Sequence, residues 1–185
     1  EGRAVSLASG KPIVPKGREA FENPPSRYGR FDAYTKMGLA AAGLALRDAG
    51  LAAFSAKRRI GMITSSASEC IETDIAYYAT TLEEGGAFAS PNLFSYTLPG
   101  IVQGECAVLF QMTGPTFCVG DDGHPGRAAL LAAAAMLSAG KAPAMLVGWI
   151  ESPPKDNLPG GGASGALFVV VEAAGRSDSV VRGII

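Results

Sequence analysis

Thr116-Phe-Cys-Val119, Gly120-Asp-Asp-Gly-His-Pro-Gly126 and Arg127-Ala-Ala-Leu-Leu-Ala-Ala-Ala-Ala-Met-Leu-Ser-Ala139 follow one another without a gap. The first four residues are a short apolar run of the kind that makes a buried strand. The next seven hold three glycines and a proline, which turn the chain. The last thirteen are helical by propensity and carry no charge after Arg127, so this helix is apolar all round and wants protein on every side. Strand, turn and buried helix in that order are the middle of a crossover unit, and the flanking sequence extends it.

Before this unit, Arg59 to Thr64 reads as a buried strand running into Ser65 and Ser66, with Ser66 and Glu69 spaced as a capping box. After it, Ala144 to Val147 and Ala166 to Glu172 read as further strands, and Val180 to Ile185 as a fifth. Strands separated by helices imply a largely parallel sheet, while the last two lie close enough to pair as a hairpin, so the class is α/β with a mixed, mostly parallel five-stranded sheet flanked by helices. From Asp32 the spacing of Tyr34, Met37, Ala41 and Leu44 predicts an amphipathic helix stopped at Gly50. Ile71, Ile75, Tyr78 and Leu82 predict a second, with that face buried and Glu72, Asp74, Glu83 and Glu84 in water. A loop then leads to Pro99, placed to open a helix through Val102, Cys106 and Leu109. Residues 1–25, with Pro12, Pro15, Pro24 and Pro25, read as an extended arm or loop, and residues 1–185 as a single domain.

Composition narrows the function. Over 185 residues, 16 Lys plus Arg stand against 17 Asp plus Glu, a balance that suggests no nucleic-acid partner. The longest run without a strongly polar residue, Ala128 to Ala139, is shorter than the roughly 20 residues a bilayer requires, and no secretory signal opens the chain. Three cysteines with no close pair suggest neither a disulfide framework nor zinc, and fit a reducing cytoplasm. No cofactor motif is present: Gly160-Gly-Gly162 lacks the context of a phosphate loop and reads as a flexible loop.

Several stretches carry a family likeness. Ser26-Arg-Tyr-Gly-Arg-Phe31 and Leu46-Arg-Asp-Ala-Gly-Leu51 precede Arg59-Ile-Gly61 and Ser65-Ser66; Pro91-Asn-Leu-Phe94, Gly114-Pro-Thr116, Ala139-Gly140 to Leu146-Val-Gly148, Gly165-Ala166 to Glu172, and Val181-Arg-Gly183 follow. In this order they resemble the N-terminal half of β-ketoacyl synthases, the condensing enzymes of fatty-acid and polyketide assembly, which have the thiolase fold. The resemblance implies a nucleophilic cysteine at the head of the central helix, where backbone N–H groups lower its pKa and help bind an oxyanion. Counting from Gly114-Pro115, that position is Gly123, which has no side chain to acylate. The family's catalytic histidines belong to a C-terminal half that this sequence does not contain, and its first strand would precede Glu1. Gly148-Trp-Ile-Glu151 replaces the usual Gly-Gly turn, and Ala163-Ser-Gly165 stands where Gly-Glu-Gly is usual.

The remaining chemistry is sparse. His124, the only histidine, sits beside Asp121 and Asp122 and is a weak acid-base candidate; the bland reading is a polar loop residue. Cys118, five residues before the expected nucleophile, reads first as a core cysteine and second as a displaced nucleophile; Cys70 and Cys106 read as packing residues. With one histidine neither a His pair nor a metal cluster can be assembled. The reading that follows is a catalytically incompetent, chain-length-factor-like subunit of fatty-acid or polyketide biosynthesis. It would work as a homodimer or as a heteromer with a complete ketosynthase, pairing along Thr116, Phe117, Cys118 and Val119, as the resemblance implies. An acyl carrier protein is a further partner, for which Lys57-Arg58-Arg59 is the one compact basic patch. The alternative is an acyl-thioester enzyme, a ketoacyl synthase or malonyl decarboxylase, completed by a partner chain. For decarboxylation the backbone of Gly120 to Gly126 would supply the oxyanion donors.

Overall fold

A computed structural model describes residues 14–51, 56–151 and 165–173. In chain order the elements are α1 (Gly17–Ala20), a 3-10 turn (Tyr28–Arg30), α2 (Ala33–Asp48), β1 (Ile60–Ser66), α3 (Ile71–Thr81), α4 (Pro91–Phe94), α5 (Ile101–Leu109), β2 (Thr116–Gly120), α6 (Arg127–Ser138), β3 (Ala144–Glu151) and β4 (Gly165–Glu172). The strand order is β2-β1-β3-β4. Both neighbours of β1 run parallel to it, whereas β4 returns antiparallel along β3, from Ala144 opposite Glu172 to Glu151 opposite Gly165. The sheet is therefore mixed and mostly parallel, with four strands among the described residues rather than five; Val180 to Ile185 lies outside them.

Helices cover both faces. On one, Leu39, Ala42 and Leu46 of α2 and Val102 and Cys106 of α5 bury Met62, Leu146, Ile150 and Phe168. On the other, Ala129, Ala133 and Leu137 of α6 bury Ile63, Met145 and Val147. Alternate residues of β1 thus face opposite cores, which is why Ile60 to Ile63 is continuously apolar instead of alternating. The helix expected from Asp32 is α2: Asp32 Oδ1 accepts from Thr35 N at 2.9 Å as the N-cap. It is buried on more than its predicted face, because Gly38, Ala40, Ala41, Ala42 and Gly43 are small enough for both α5 and the sheet to approach.

Four expectations need correcting. Residues 14–25 are not simply an extended arm: α1 tucks Ala20 and Phe21 into the core, and the Phe21 ring meets Tyr28 edge-on, centroids 5.9 Å apart. Ser66 Oγ does accept from Glu69 N at 2.7 Å, but it closes a turn ahead of α3, whose N-cap is Cys70. The helix expected at Pro99 starts later, with Gly100 as N-cap, and Pro91 instead opens the single turn of α4. Finally, the apolar stripe of α3 faces outward: Ile71, Ile75, Tyr78 and Leu82 are 40%, 47%, 63% and 65% exposed. What α3 turns inward is polar, Thr73 Oγ1 donating to Asp32 Oδ2 at 2.7 Å. The helix packs against α4 and is tied to the cap of α2 by this hydrogen bond, with no greasy face laid on the sheet.

Gly114 is the tightest approach of backbone to backbone. Its N–H donates to Ile60 O at 3.0 Å, and a Cβ there would overlap the carbonyl carbon of Ile60 and the nitrogen of Gly61. Gly114→Ala should therefore lower stability by about 3 kcal/mol, since neither backbone can yield. Gly104→Ala, at an exposed position of α5 where a Cβ meets nothing, should be neutral or stabilising by up to about 1 kcal/mol. Urea midpoints of the two variants check the contrast.

Candidate active-site end of the sheet

The C-terminal ends of the parallel strands β1, β2 and β3 meet at one rim, and a single carboxylate organises it. Glu151, 7% exposed, closes β3. Its Oε2 accepts from Ala67 N at 2.9 Å and Ser66 Oγ at 3.2 Å, and its Oε1 from Ser68 N at 2.8 Å and from the Ser68 hydroxyl. Four donors surround this one buried carboxylate and so fix the 66–68 turn. An acid at the end of an otherwise apolar strand was a visible signal; its partners, 83 to 85 positions away, were not.

The turn carrying the expected nucleophile position leans on the same rim, Asp121 N donating to Ser66 O at 2.9 Å. Gly123 is exposed with φ +87°, a left-handed conformation that a side chain adopts only with strain. His124 N donates to Asp121 Oδ1 at 3.1 Å and Asp122 Oδ1 at 3.2 Å, and its imidazole Nδ1 lies 3.5 Å from Asp122 Oδ1. Arg127 reaches Asp122 Oδ2 at 3.3 Å. Two carboxylates thus crowd the start of α6, where an oxyanion mechanism needs donors aimed at a developing negative charge. The N–H groups of Asp121, His124 and Arg127 are all engaged by acceptors of the protein itself.

The structure does not bring the two candidate catalytic groups into one hydrogen-bonded unit. Cys118 lies in β2 opposite Thr64, whose hydroxyl is buried against Gln103 of α5, whereas the bonds of His124 stay within its own turn. Burial, and then the nearby Glu69 carboxylate, raise the Cys118 thiol above its ordinary pKa. Burial and Asp74 push Cys70 up to about 12, and burial holds Cys106 well above the usual range. None of these thiols is activated. Tyr34, which the sequence places only on the apolar side of α2, is buried in this neighbourhood, its hydroxyl pKa raised by burial and then by Glu69, Cys118 and Cys70.

Other candidates lie elsewhere. Lys57, Arg58 and Arg59 sit at the opposite end of β1, about 20 Å along a seven-residue strand from the rim, with Arg58 donating to Leu51 O and Arg59 to Lys141 O. Gly160 to Gly162 fall outside the described residues. Strand β2 forms one edge of the sheet, with Thr116 exposed and Phe117, Cys118 and Val119 half-buried. Among the described residues no cluster of His, Cys, Asp or Glu has metal-binding geometry, and no helix is long and apolar enough to cross a membrane.

Glu69 offers a titration test. Burial first, then Asp74 and Glu151, raise its pKa, so the folded state holds that proton more tightly than the unfolded chain. Below the ordinary carboxylate value of about 4.3 both states are protonated and there is no penalty; the cost appears as pH rises through the folded pKa. Glu69→Gln should accordingly melt at a higher temperature than the parent near pH 7, with the gain shrinking toward about pH 4. Thermal unfolding across that range checks it.

The comparisons agree with this geometry. Residues 17–163 match the family model described as beta-ketoacyl synthase, N-terminal domain. Among solved structures, the ishigamide ketosynthase/chain length factor overlays with a TM-score of 0.73 at 19% identity, covering 90% of this chain and 50% of that one. A type II polyketide-synthase acyl-carrier protein in complex with its ketosynthase bound to the hexaketide gives 0.60 at 20% identity, covering 83% and 50%. A beta-ketoacyl synthase from Burkholderia phymatum gives 0.56 at 22% identity, covering 74% and 34%. No curated protein matches the sequence. The overlays establish a thiolase-like half, and the chain spans half or less of the length of these proteins. By the match across residues 17–163, it belongs to the β-ketoacyl synthase family, in the part that forms the N-terminal domain.

Proposed function

We propose that this chain is a ketosynthase-like subunit of polyketide or fatty-acid assembly that performs no condensation itself and acts by association, in the manner of a chain length factor. The observation that carries the reading is the turn at Gly123: it has no nucleophile, and the carboxylates of Asp121 and Asp122 occupy the head of the helix. Raised thiols at Cys70, Cys106 and Cys118 support it, as do overlays on proteins described as ketosynthases with a chain length factor. Two features favour a partner chain, either a second copy or a complete ketosynthase. The outer side of α6 leaves Leu130 47% and Leu131 60% exposed, and the free edge of β2 presents Thr116 to Val119 for strand pairing. An acyl carrier protein delivering substrate to such an assembly would have to reach the rim of the sheet, not the Lys57-Arg58-Arg59 end.

Incubation with acetyl, malonyl and longer acyl thioesters, followed by intact-mass spectrometry, should show no covalent adduct on the parent chain or on Cys118→Ala. An adduct on the parent that disappears in Cys118→Ala would replace this reading with a displaced-nucleophile enzyme. In light scattering, adding a complete ketosynthase should produce a species heavier than either component. A chain that remains a dilute monomer both alone and in that mixture would remove the association role.

A further inference from the structure

Residues 71–95 lie on the protein without belonging to either core. Along α3, α4 and the kinked 3-10 turn between them, Glu83–Gly86, Thr73 is the one side chain buried among those described. No residue of the stretch joins the packing beneath α2 and α5 or the packing beneath α6. Buried apolar contact is what makes a segment open only when the whole domain unfolds, so a stretch without it has a local stability of its own.

Its ends are anchored and its interior is tied to itself. Ahead of it, Glu151 holds the 66–68 turn and Cys70 is only 3% exposed. Behind it, the Tyr96 ring sits in the core, its centroid 5.9 Å from that of Phe31. Within it, Ser90 N donates to Thr80 Oγ1 at 3.0 Å, Leu93 N donates to Ser90 Oγ at 3.3 Å, and the Phe94 ring packs on Tyr77 with centroids 5.3 Å apart. These contacts make α3 and α4 one piece. Thr73 Oγ1, donating to Asp32 Oδ2 at 2.7 Å, fastens that piece to the cap of α2.

The places where the chain can bend are marked. Glu69 has φ +51°, a left-handed conformation that strains a residue with a β-carbon, so strain is held at the first pivot. At the far end Gly100 stands in open space, where a Cβ would meet nothing. A buried group is also left unmet: the Tyr34 hydroxyl, beside Cys70 and Cys118, has no hydrogen-bond partner among the described residues, which costs stability. We infer that residues 71–95 form a hinged lid over the Tyr34–Cys70 corner of the rim, pivoting near Glu69 and Gly100 and latched by Thr73 on Asp32. The closed position is the resting one; opening brings Cys70 and Tyr34 to solvent while β1, α2 and α5 stay folded. The lid does not rest on the association reading, since a chain that pairs with nothing would open in the same way.

Thiol labelling reads the lid directly, with Cys106, fully buried on the core face of α5, as the reference inside the same molecule. The chain is treated with N-ethylmaleimide under native conditions, and peptide masses give each rate relative to that of the same thiol in the urea-unfolded chain. Cys70 should react at least about a hundredfold faster than Cys106. Its rate should change little with urea below the unfolding transition, because a local opening exposes little surface, while the Cys106 rate climbs steeply. Thr73→Val, which removes a hydrogen bond to a carboxylate, should speed Cys70 by about tenfold or more and leave Cys106 unchanged. If the two thiols of the parent share one rate and one urea dependence, the stretch opens only with the whole molecule and the lid is overturned, whatever the variant does. Equal Cys70 rates in the parent and Thr73→Val would overturn the latch and with it the inference. Faster labelling of both thiols in Thr73→Val would do the same, by showing that the hydroxyl supports the whole fold.

Discussion

Everything in this molecule is positioned relative to β1. The strand is hydrogen-bonded along both edges, to β2 and β3, and buried on both faces, beneath α2 and α5 on one side and α6 on the other. A strand so enclosed is apolar from Ile60 to Ile63, carries only small hydroxyl side chains from Thr64 to Ser66, and is free of bulk where backbones touch, hence Gly61 within it and Gly114 alongside. Its C-terminal end also sets the rim. Ser66, its last residue, takes the N–H of Asp121 through its carbonyl and the N–H of Glu69 through its hydroxyl, and donates to Glu151. One residue therefore fixes the spacing between the nucleophile turn, the approach to α3 and the end of β3.

The parts of this arrangement governed by period and punctuation were legible in the sequence. Four strands, the helix from Asp32 and the all-apolar α6 follow from hydrophobic runs, helical spacing and the lack of charge between Ala128 and Ala139. Where the reading failed, one rule had displaced another. The spacing of Ile71, Ile75, Tyr78 and Leu82 predicts a core-facing stripe because surface helices of globular domains usually bury such faces, yet this helix is anchored through Thr73 and Asp32 and leaves the stripe outside. Periodicity establishes that a face exists; it does not say whether the cover comes from the same chain.

The site was less legible, for a related reason. Residue types at Gly123, His124 and Cys118 can be read off a line, but their relation is set by which strand neighbours which. The Glu151 carboxylate meets Ser66, Ala67 and Ser68 only because β1 and β3 are parallel neighbours ending at one level. Likewise the Asp121-Asp122 pair reads in the sequence as a weak acid-base partner for His124 beside the plainer reading of a polar loop. In three dimensions it mainly satisfies backbone and arginine donors at the head of α6. What remains is a family fold whose reactive corner is filled by the protein's own acceptors.

The two carboxylate oxygens of Asp32 act on two different helices at once. Oδ1 caps α2 through Thr35, and Oδ2 receives the Thr73 hydroxyl of α3. The helix that presents the outward stripe is thereby tied to the N-cap of the most deeply buried helix of the core. Its surface is ordered before any encounter, so less conformational freedom is surrendered on contact. Complexes made on such a preformed face owe their lifetime to fit, and small changes of shape there should be felt as faster escape more than as slower arrival.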